Sequence, residues 1–495
     1  MCTHLLARKE QNLLLEKKEV RVVVTTKQKV VKMWPRRARG LCLESLNKGK
    51  HARLFSQYHL KKASKSAWED ETETRKQVSS MLKKIREGGE EAVSKYSLEM
   101  DGYDGNVVVS EEEIEVACNS LSQQLKEDIM YAHKQVTKFA QAQKDSIREF
   151  EIEVSDGIYA GQKLIPIDCA GCYVPGGRYA HIASAIMSVA TAKIAGVKHV
   201  IACSSPSRVG NRNGVHPSIL FAMKISGADQ ILALGGVQAI AAMSMGLFTG
   251  KKANILVGPG NKFVAEAKQM LHSTSNVGID MFAGPTEIGI IADASADANL
   301  VSEDLCSQCE HGFDSPSWLF TTCDKLANEV LKQMDTRINS LPTRAREAAK
   351  AAWRDHGEII ICDNDEELCE VSDRYGAEHL ELHVKKDKMK WFVDELKNYG
   401  SLFIGEETTV TYGDKCSGTN HILPTKRASY SSGGLSVHKF MKIVTTQRMT
   451  RESTKELGVR AARISREEGM EGHARAADIR LKKYFPNESF DVGRK

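Results

Sequence analysis

Gln308-Cys309-Glu310-His311-Gly312 sets an amide oxygen and an imidazole three residues apart, which places both on one face of a helix. A neutral imidazole is a good zinc ligand and a side-chain amide oxygen a less usual one. The pair offers two possible metal ligands, which alone do not make a site. Three other segments carry groups of the right kind. Glu378-His379 joins a carboxylic acid to an imidazole just ahead of the strand-like run Leu380–Val384. Such a pair can share proton transfer near neutral pH, though it is also a common solvated loop. Asp414 lies in the small-residue loop Gly413-Asp414-Lys415-Cys416-Ser417-Gly418, which can present a carboxylate to a metal. Asp and Gly are equally what an ordinary turn uses. His473, in Glu471-Gly472-His473-Ala474, reads as a surface residue on spacing alone.

The cysteines offer a rival metal site. Cys169-Ala170-Gly171-Cys172 and Cys306-Ser307-Gln308-Cys309 both have the C-x-x-C spacing of a zinc ribbon. They stand far apart in the chain and in apolar surroundings, which favours buried, inert thiols.

The elements that must position these groups are legible as periodicities. Residues 67–99 and 110–148 are charged, with apolar positions at helical spacing: Val78, Met81, Leu82 and Ile85, then Leu121, Leu125, Ile129 and Ala132. Beyond Gly157, β-branched runs at His199–Cys203, Gln230–Leu234, Asn254–Val257, Glu287–Ala292, Glu358–Cys362 and Leu402–Ile404 alternate with helical stretches such as Ala183–Ala195 and Asn261–Leu271. That alternation predicts α/β layers with mainly parallel sheets. Glu452 to Tyr484 is helical and polar again. Glycine-rich turns close several runs: Gly235-Gly236, Gly258-Pro259-Gly260-Asn261 and, ahead of a helix, Pro175-Gly176-Gly177. Turns of this kind lie beyond the carboxyl ends of parallel strands, where exposed backbone N–H groups meet ligands. They suggest a nucleotide or small anion held without G-x-G-x-x-G or a phosphate-binding G-x-x-x-x-G-K-[ST].

A chain of 495 residues exceeds what one core usually supports, so more than one domain is expected. The net charge of +5 is unevenly spread: residues 1–60 hold 14 Lys and Arg against 4 Asp and Glu, leaving 55 against 60 elsewhere. The mildly acidic body gives no support to a nucleic-acid partner. The longest apolar stretch, Ile182 to Cys203, is broken by Lys193 and Lys198, which argues against a membrane span. Twelve cysteines in a chain of this length indicate a reducing, intracellular compartment rather than a disulfide framework. The basic segment 1–60, with Met33-Trp34-Pro35-Arg36-Arg37-Ala38-Arg39, has the composition of a mitochondrial or plastid transit peptide or of a plain basic extension. It is set aside from fold reasoning on either view; without targeting, the protein is expected in the cytoplasm.

Ala283-Gly284-Pro285-Thr286-Glu287, Asp304 to Gly312, Ala377-Glu378-His379-Leu380-Glu381 and Ser417 to Thr425, together with Gly171 to Gly177, Gly235 to Ala239 and Gly258 to Asn261, resemble the histidinol dehydrogenase family in order. The resemblance spans about Lys65 to Phe485. It implies two Rossmann-like parallel-sheet lobes with added helical segments at both ends, the C-terminal tail completing the site of a second subunit in a homodimer. It further implies one catalytic zinc on Gln308, His311, Asp414 and, from the partner, His473. Glu378 and His379 become the acid/base pair, Tyr173, Gln238 and Asn261 the NAD contacts, and Thr286, His421 and Glu468 further substrate contacts beside His379 and the metal ligands. The implied reaction is a four-electron oxidation of a small polar primary alcohol to a carboxylate through a bound aldehyde, using two NAD in turn. Gly214-Val215-His216-Pro217, Ser315 to Trp318, Ser432 to Phe440 and Gly472 to Asp478 are more similar to the branch that oxidises 2,3-dihydroxypropane-1-sulfonate than to the branch acting on L-histidinol. Cys306 and Cys309 stand where the family usually has Leu and Ala, Ala377 where it has Pro, and Thr286 where it has Ser. Two other readings are compatible with the residues: a non-catalytic relative that binds a ligand, and a metal hydrolase on the same zinc.

Overall fold

The computed structural model describes residues 57–65, 72–177, 179–206, 214–281 and 284–493. The transit-like segment lies almost wholly outside them. Only its end is seen: Tyr58–Lys61 forms an edge strand, β1, so the described fold begins within the last residues of the segment set aside above.

Two parallel sheets dominate. The first has five strands in the order β6 (Gln230–Leu232), β5 (His199–Ser204), β4 (Cys169–Val174), β7 (Ile255–Val257) and β8 (Gly278–Ile279). Helices cover both faces. On one lie α2 (Glu111–Asn119), α3 (Gln123–Asp145), α4 (Ile182–Ala195) and α5 (Pro217–Ser226). On the other lie α1 (Thr72–Tyr96), α6 (Gly236–Met245) and α7 (Lys262–Thr274). A strand buried on both faces needs no polar alternation, which is why Cys169-Ala170-Gly171-Cys172-Tyr173-Val174 is buried throughout. The long apolar run Ile182–Cys203 is likewise α4 and β5, joined where Gly196 takes φ 99° and ends the helix. Among the described residues no helix is long and apolar enough to cross a membrane.

The second sheet runs β1, β11 (Gly357–Ile361), β10 (Ser317–Thr321), β9 (Ile288–Ala292), β12 (His379–His383) and β13 (Ser401–Ile404), parallel except for β1. Its faces carry α8 (Ala298–Cys309), α9 (Asp324–Ser340) and α10 (Thr343–His356) on one side, and α11 (Asp365–Tyr375) and α12 (Lys386–Glu395) on the other. A short helix, α13 (Val410–Lys415), follows β13. The α/β class and parallel sheets expected from the alternation are those observed.

The 110–148 region is two helices rather than one, because Ser110 and Glu113 form a capping box for α2 and Ser122 caps α3 anew. A third sheet was not foreseen. Strands β14 (Met441–Met449), β3 (Ile158–Pro166) and β2 (Phe150–Ser155) pair antiparallel in that order. β2 is exposed along its whole length, so its pattern records no burial to be read. β14 leads into a helical hairpin, α14 (Ser453–Glu467) and α15 (Glu471–Tyr484). Arg466 locks the hairpin, donating to Asp478 Oδ2 at 2.6 Å and to Glu471 Oε2 at 3.0 Å.

Candidate active site

In the second sheet β9, β10 and β11 run to one side and β12 and β13 to the other, so β9 and β12 flank the switch in strand order. Thr286 and Glu287 immediately precede β9, and Glu378 and His379 open its neighbour, His379 pairing with Ile288. Helix α8 follows β9 and returns along the sheet, bringing Gln308 in its last turn back to the same edge, with His311 just beyond. α13 supplies Asp414, and His421 follows it. The cluster therefore lies at the amino edge of this sheet, not at the carboxyl edge where the glycine-rich turns of the other sheet lie.

Hydrogen bonds thread these residues together. Gln308 Nε2 donates to Thr286 Oγ1 at 2.5 Å, and Thr286 Oγ1 donates to Glu378 Oε2 at 2.5 Å. The backbone N–H of Glu287 reaches the same carboxylate oxygen at 2.9 Å. His379 Nδ1 lies 3.0 Å from the carbonyl oxygen of Glu287, which fixes the tautomer: Nδ1 carries a proton and donates it there. Nε2 then faces Asp414 Oδ1 at 3.4 Å, buried and without a hydrogen bond. His421 is held by Ser184 Oγ at 2.7 Å and by the Asp414 carbonyl at 3.1 Å.

The electrostatics follow from burial and crowding. Burial alone would lower His379, but the Glu378 and Asp414 carboxylates outweigh it and raise the imidazole well above its ordinary value. Burial would raise Asp414, yet His379, His421 and Lys415 hold its carboxyl well below the usual carboxylate range. Burial lowers His311 and His421, keeping both rings neutral at neutral pH. Beneath them, burial pushes the Glu287 carboxyl up to about 8, the Glu378 charge adding to the effect against the Lys426 N–H.

An imidazole lone pair and a carboxylate oxygen facing one another away from water need a proton or a cation between them. By type, Gln308, neutral His311 and ionised Asp414 supply one nitrogen and two oxygens, a donor set that suits zinc. Cys306 and Cys309 point instead into the core behind α8. Burial pushes both thiols up to about 12, and Cys309 Sγ rests 3.2 Å from Ser317 Oγ. Cys169 and Cys172 belong to the cores of the other sheet, so the four-cysteine alternative has no geometry to support it.

The residues considered for NAD lie at the carboxyl edge of the five-stranded sheet. β4 is its switch strand, with β5 and β6 on one side and β7 and β8 on the other. The hydroxyl of Tyr173, near the end of β4, accepts from Gly236 N at 3.3 Å at the start of α6. Gln238, on that helix, donates from Nε2 to Asp101 at 3.1 Å and leaves Oε1 buried and unpartnered. Asn261 caps α7, its Oδ1 accepting from Phe263 and Val264 at 3.0 and 3.1 Å. Between β7 and that cap Gly258 takes φ 118°, and a Cβ there would come 2.0 Å from the Tyr173 carbonyl, so only glycine lets the turn close against β4.

His473 and Glu468 are the exceptions. Both are exposed on the α14–α15 hairpin, and among the described residues no side-chain hydrogen bond or ion pair joins either to the Gln308 cluster. One group of polar residues escaped sequence reasoning. Asp304, Glu381 and His383 bring ligand-type atoms within 4.8 Å of one another beside the cluster. The signal was present: Asp304 precedes Gln308 by one helical turn, and His379, Glu381 and His383 alternate along β12.

The family model of histidinol dehydrogenase matches residues 64–481. A histidinol dehydrogenase homolog of Pelagibacter ubique is 56% identical over 86% of this chain and 98% of its own length. The sulfopropanediol 3-dehydrogenase of Ruegeria pomeroyi is 53% identical over 88% and 98%. The crystal structure of histidinol dehydrogenase from Elizabethkingia anophelis superposes with a TM-score of 0.77 at 32% identity, covering 84% of this chain and 93% of that one. Fold and relatives alike define an α/β dehydrogenase. The chain belongs to the histidinol dehydrogenase family.

Proposed function

We propose that the chain is a zinc- and NAD-dependent dehydrogenase that oxidises a primary alcohol to a carboxylate through a bound aldehyde, with 2,3-dihydroxypropane-1-sulfonate preferred to L-histidinol. The observation that carries the chemistry is His379, whose Nδ1 is committed to the Glu287 carbonyl while Nε2 stands buried and without a hydrogen bond, facing the Asp414 carboxylate at 3.4 Å. The choice of substrate is supported by the similarity to the Ruegeria sulfopropanediol 3-dehydrogenase. Gln308, His311 and Asp414, with His473 of the partner subunit, would hold the zinc, which when bound supplies Lewis acidity toward an alcohol or carbonyl oxygen. Tyr173, Gln238 and Asn261 would hold NAD, the hydride acceptor.

This chain's own groups then divide the proton work. With the Asp414 carboxylate engaged by the metal, the field that raises His379 would be relieved, and Nε2 would take the hydroxyl proton as hydride leaves carbon, giving the aldehyde. Glu378, aimed by Thr286 Oγ1 and by the Glu287 N–H, takes a proton from water as that water adds to the aldehyde. The hydrate gives up the second hydride to a second NAD, so alcohol, water and two NAD yield carboxylate, two NADH and the balancing protons. Thr286 and His421, with Glu468 of the partner subunit, would orient the substrate. A homodimer is supported by His473, which is exposed and, among the described residues, joined to its own chain's cluster by no side-chain hydrogen bond or ion pair. It is also supported by apolar side chains left half exposed on β2, Phe150 at 50%, Ile152 at 52% and Val154 at 56%. The ten cysteines of the described residues are all free, consistent with a reducing cytoplasm.

The test is a count. Zinc-loaded protein incubated with NAD and either alcohol should form two NADH per dihydroxypropanesulfonate consumed, with weaker turnover of histidinol. Chelation should abolish the signal and added zinc restore it. Turnover of histidinol alone would reverse the substrate choice, and activity indifferent to chelation would remove the metal from the reading. A product formed without NADH would instead favour a hydrolase, and zinc and substrate bound without turnover a binding protein.

A further inference from the structure

Two carboxylates beside the Gln308 cluster take no part in the reaction described above. Asp304 stands on α8 one turn before Gln308, on the same face, and Glu381 stands on β12 two residues past His379, again on the same face. Glu381 is wholly buried. Both acids are directed at the start of α13. Thr409 Oγ1 donates to Asp304 Oδ1 at 2.8 Å, and the Val410 N–H donates to Glu381 Oε1 at 2.9 Å. His383 Nε2, 3.3 Å from Glu381 Oε2, occupies the remaining oxygen.

α13 has only six residues, and its N-cap, Thr409, caps none of the helix's own N–H groups. A helix this short has negligible stability of its own. Its placement depends on what holds its first turn, and a buried carboxylate on a free helical N–H is a strong, charge-assisted anchor. The opposite side is equally constrained: a Cβ at Gly413 would come 2.5 Å from the Phe403 ring of β13. Asp414, the next residue, is thus delivered by a helix clamped at its start and pressed against the sheet.

We propose that the Asp304–Glu381 pair positions Asp414, setting through α13 where its carboxylate meets the metal. The inference rests on the reading of Asp414 as a zinc ligand. α8 and β12 would then each serve the site twice, once with a group at the metal or the reacting proton and once with an acid that aims a third element.

Zinc affinity, measured by competition with a chromophoric chelator, tests this without turnover. Glu381→Ala should weaken zinc binding by about tenfold, as loss of supporting contacts commonly does. Glu381→Gln, whose amide oxygen still accepts from Val410 N–H, should restore most of it. Asp414→Ala should weaken binding, and adding Glu381→Ala to it should weaken it no further, because both changes remove the same contact. Thr409→Val, at a half-buried position, gives a milder version of the same non-additive loss if Glu381→Ala fails to fold. Parental affinity in both Glu381→Ala and Thr409→Val, with Asp414→Ala impaired, overturns the inference alone. Additive losses overturn it too, as do two zinc ions per parental chain with one missing from Glu381→Ala. Parental affinity in Asp414→Ala overturns the underlying reading of that residue.

Discussion

His379 Nε2 faces Asp414 Oδ1 across 3.4 Å, with the other ring nitrogen already bonded to Glu287. The imidazole can neither flip nor turn away without losing that bond, so its free nitrogen stays presented to whatever occupies the gap. His379→Asn should cut kcat by about 10²- to 10⁴-fold, the usual worth of a positioned acid–base group. Zinc content, read by elemental analysis, should stay at the parental level. Simultaneous loss of the metal would make His379 a ligand rather than a base.

Glu378 and His379 are adjacent, yet they are served by different contacts, and that difference predicts separable defects. Glu378→Gln should spare the conversion of alcohol to aldehyde and impair the conversion of aldehyde to acid, the step that needs a proton taken from water. Single-turnover NADH formation from the alcohol and from supplied aldehyde measures the two steps. Equal losses in both would defeat the proposed division.

If His473 serves the partner's site, inactive chains should rescue one another. His311→Ala and His473→Ala, each inactive, should regain about a quarter of parental activity when refolded together in equal amounts. Half the dimers are then mixed, and one site in each mixed dimer carries neither substitution. Mixtures that remain as inactive as the separate variants would place His473 outside the shared site.

Away from the site, Arg354 Nε at 2.7 Å, Lys65 Nζ at 2.9 Å and Ser64 Oγ at 3.1 Å hold Asp355. Arg354 foremost keeps its carboxyl well below the ordinary 3.8. A depressed carboxylate contributes stability that is complete above its unfolded pKa and disappears as pH falls through the folded one. Asp355→Asn should therefore lower Tm at pH 7, with the gap to the parent narrowing steadily below about pH 4. A gap independent of pH would mean that the amide disturbs packing instead.

The sequence made some of this legible and concealed the rest for physical reasons. Runs such as Val200–Cys203 and Ile288–Ala292 announce strands because burial on both faces leaves nothing charged in them. Strands β2 and β3 do not, since β2 is exposed throughout and β3 only partly covered. At the site, Gln308 and His311 declare themselves by helical spacing. The bond from Thr286 to Glu378 joins residues 92 positions apart, and no local pattern carries it. Asp304, Glu381 and His383 had the right periodicity, but acids on the flank of a helix or strand are ordinarily solvated, and only their burial distinguishes them.

The Gln308 cluster and the Tyr173–Gln238–Asn261 group stand on the edges of two different sheets, each with its own cores. On the proposed chemistry the aldehyde must outlast one dinucleotide and await the next. A seat for the carbon skeleton built on one framework, and a berth for the electron carrier built on another, would let spent carrier depart without loosening the grip on a reactive intermediate. Division of labour between the sheets would then act as a time-keeper, allowing two oxidations to be performed in succession on a passenger that never disembarks.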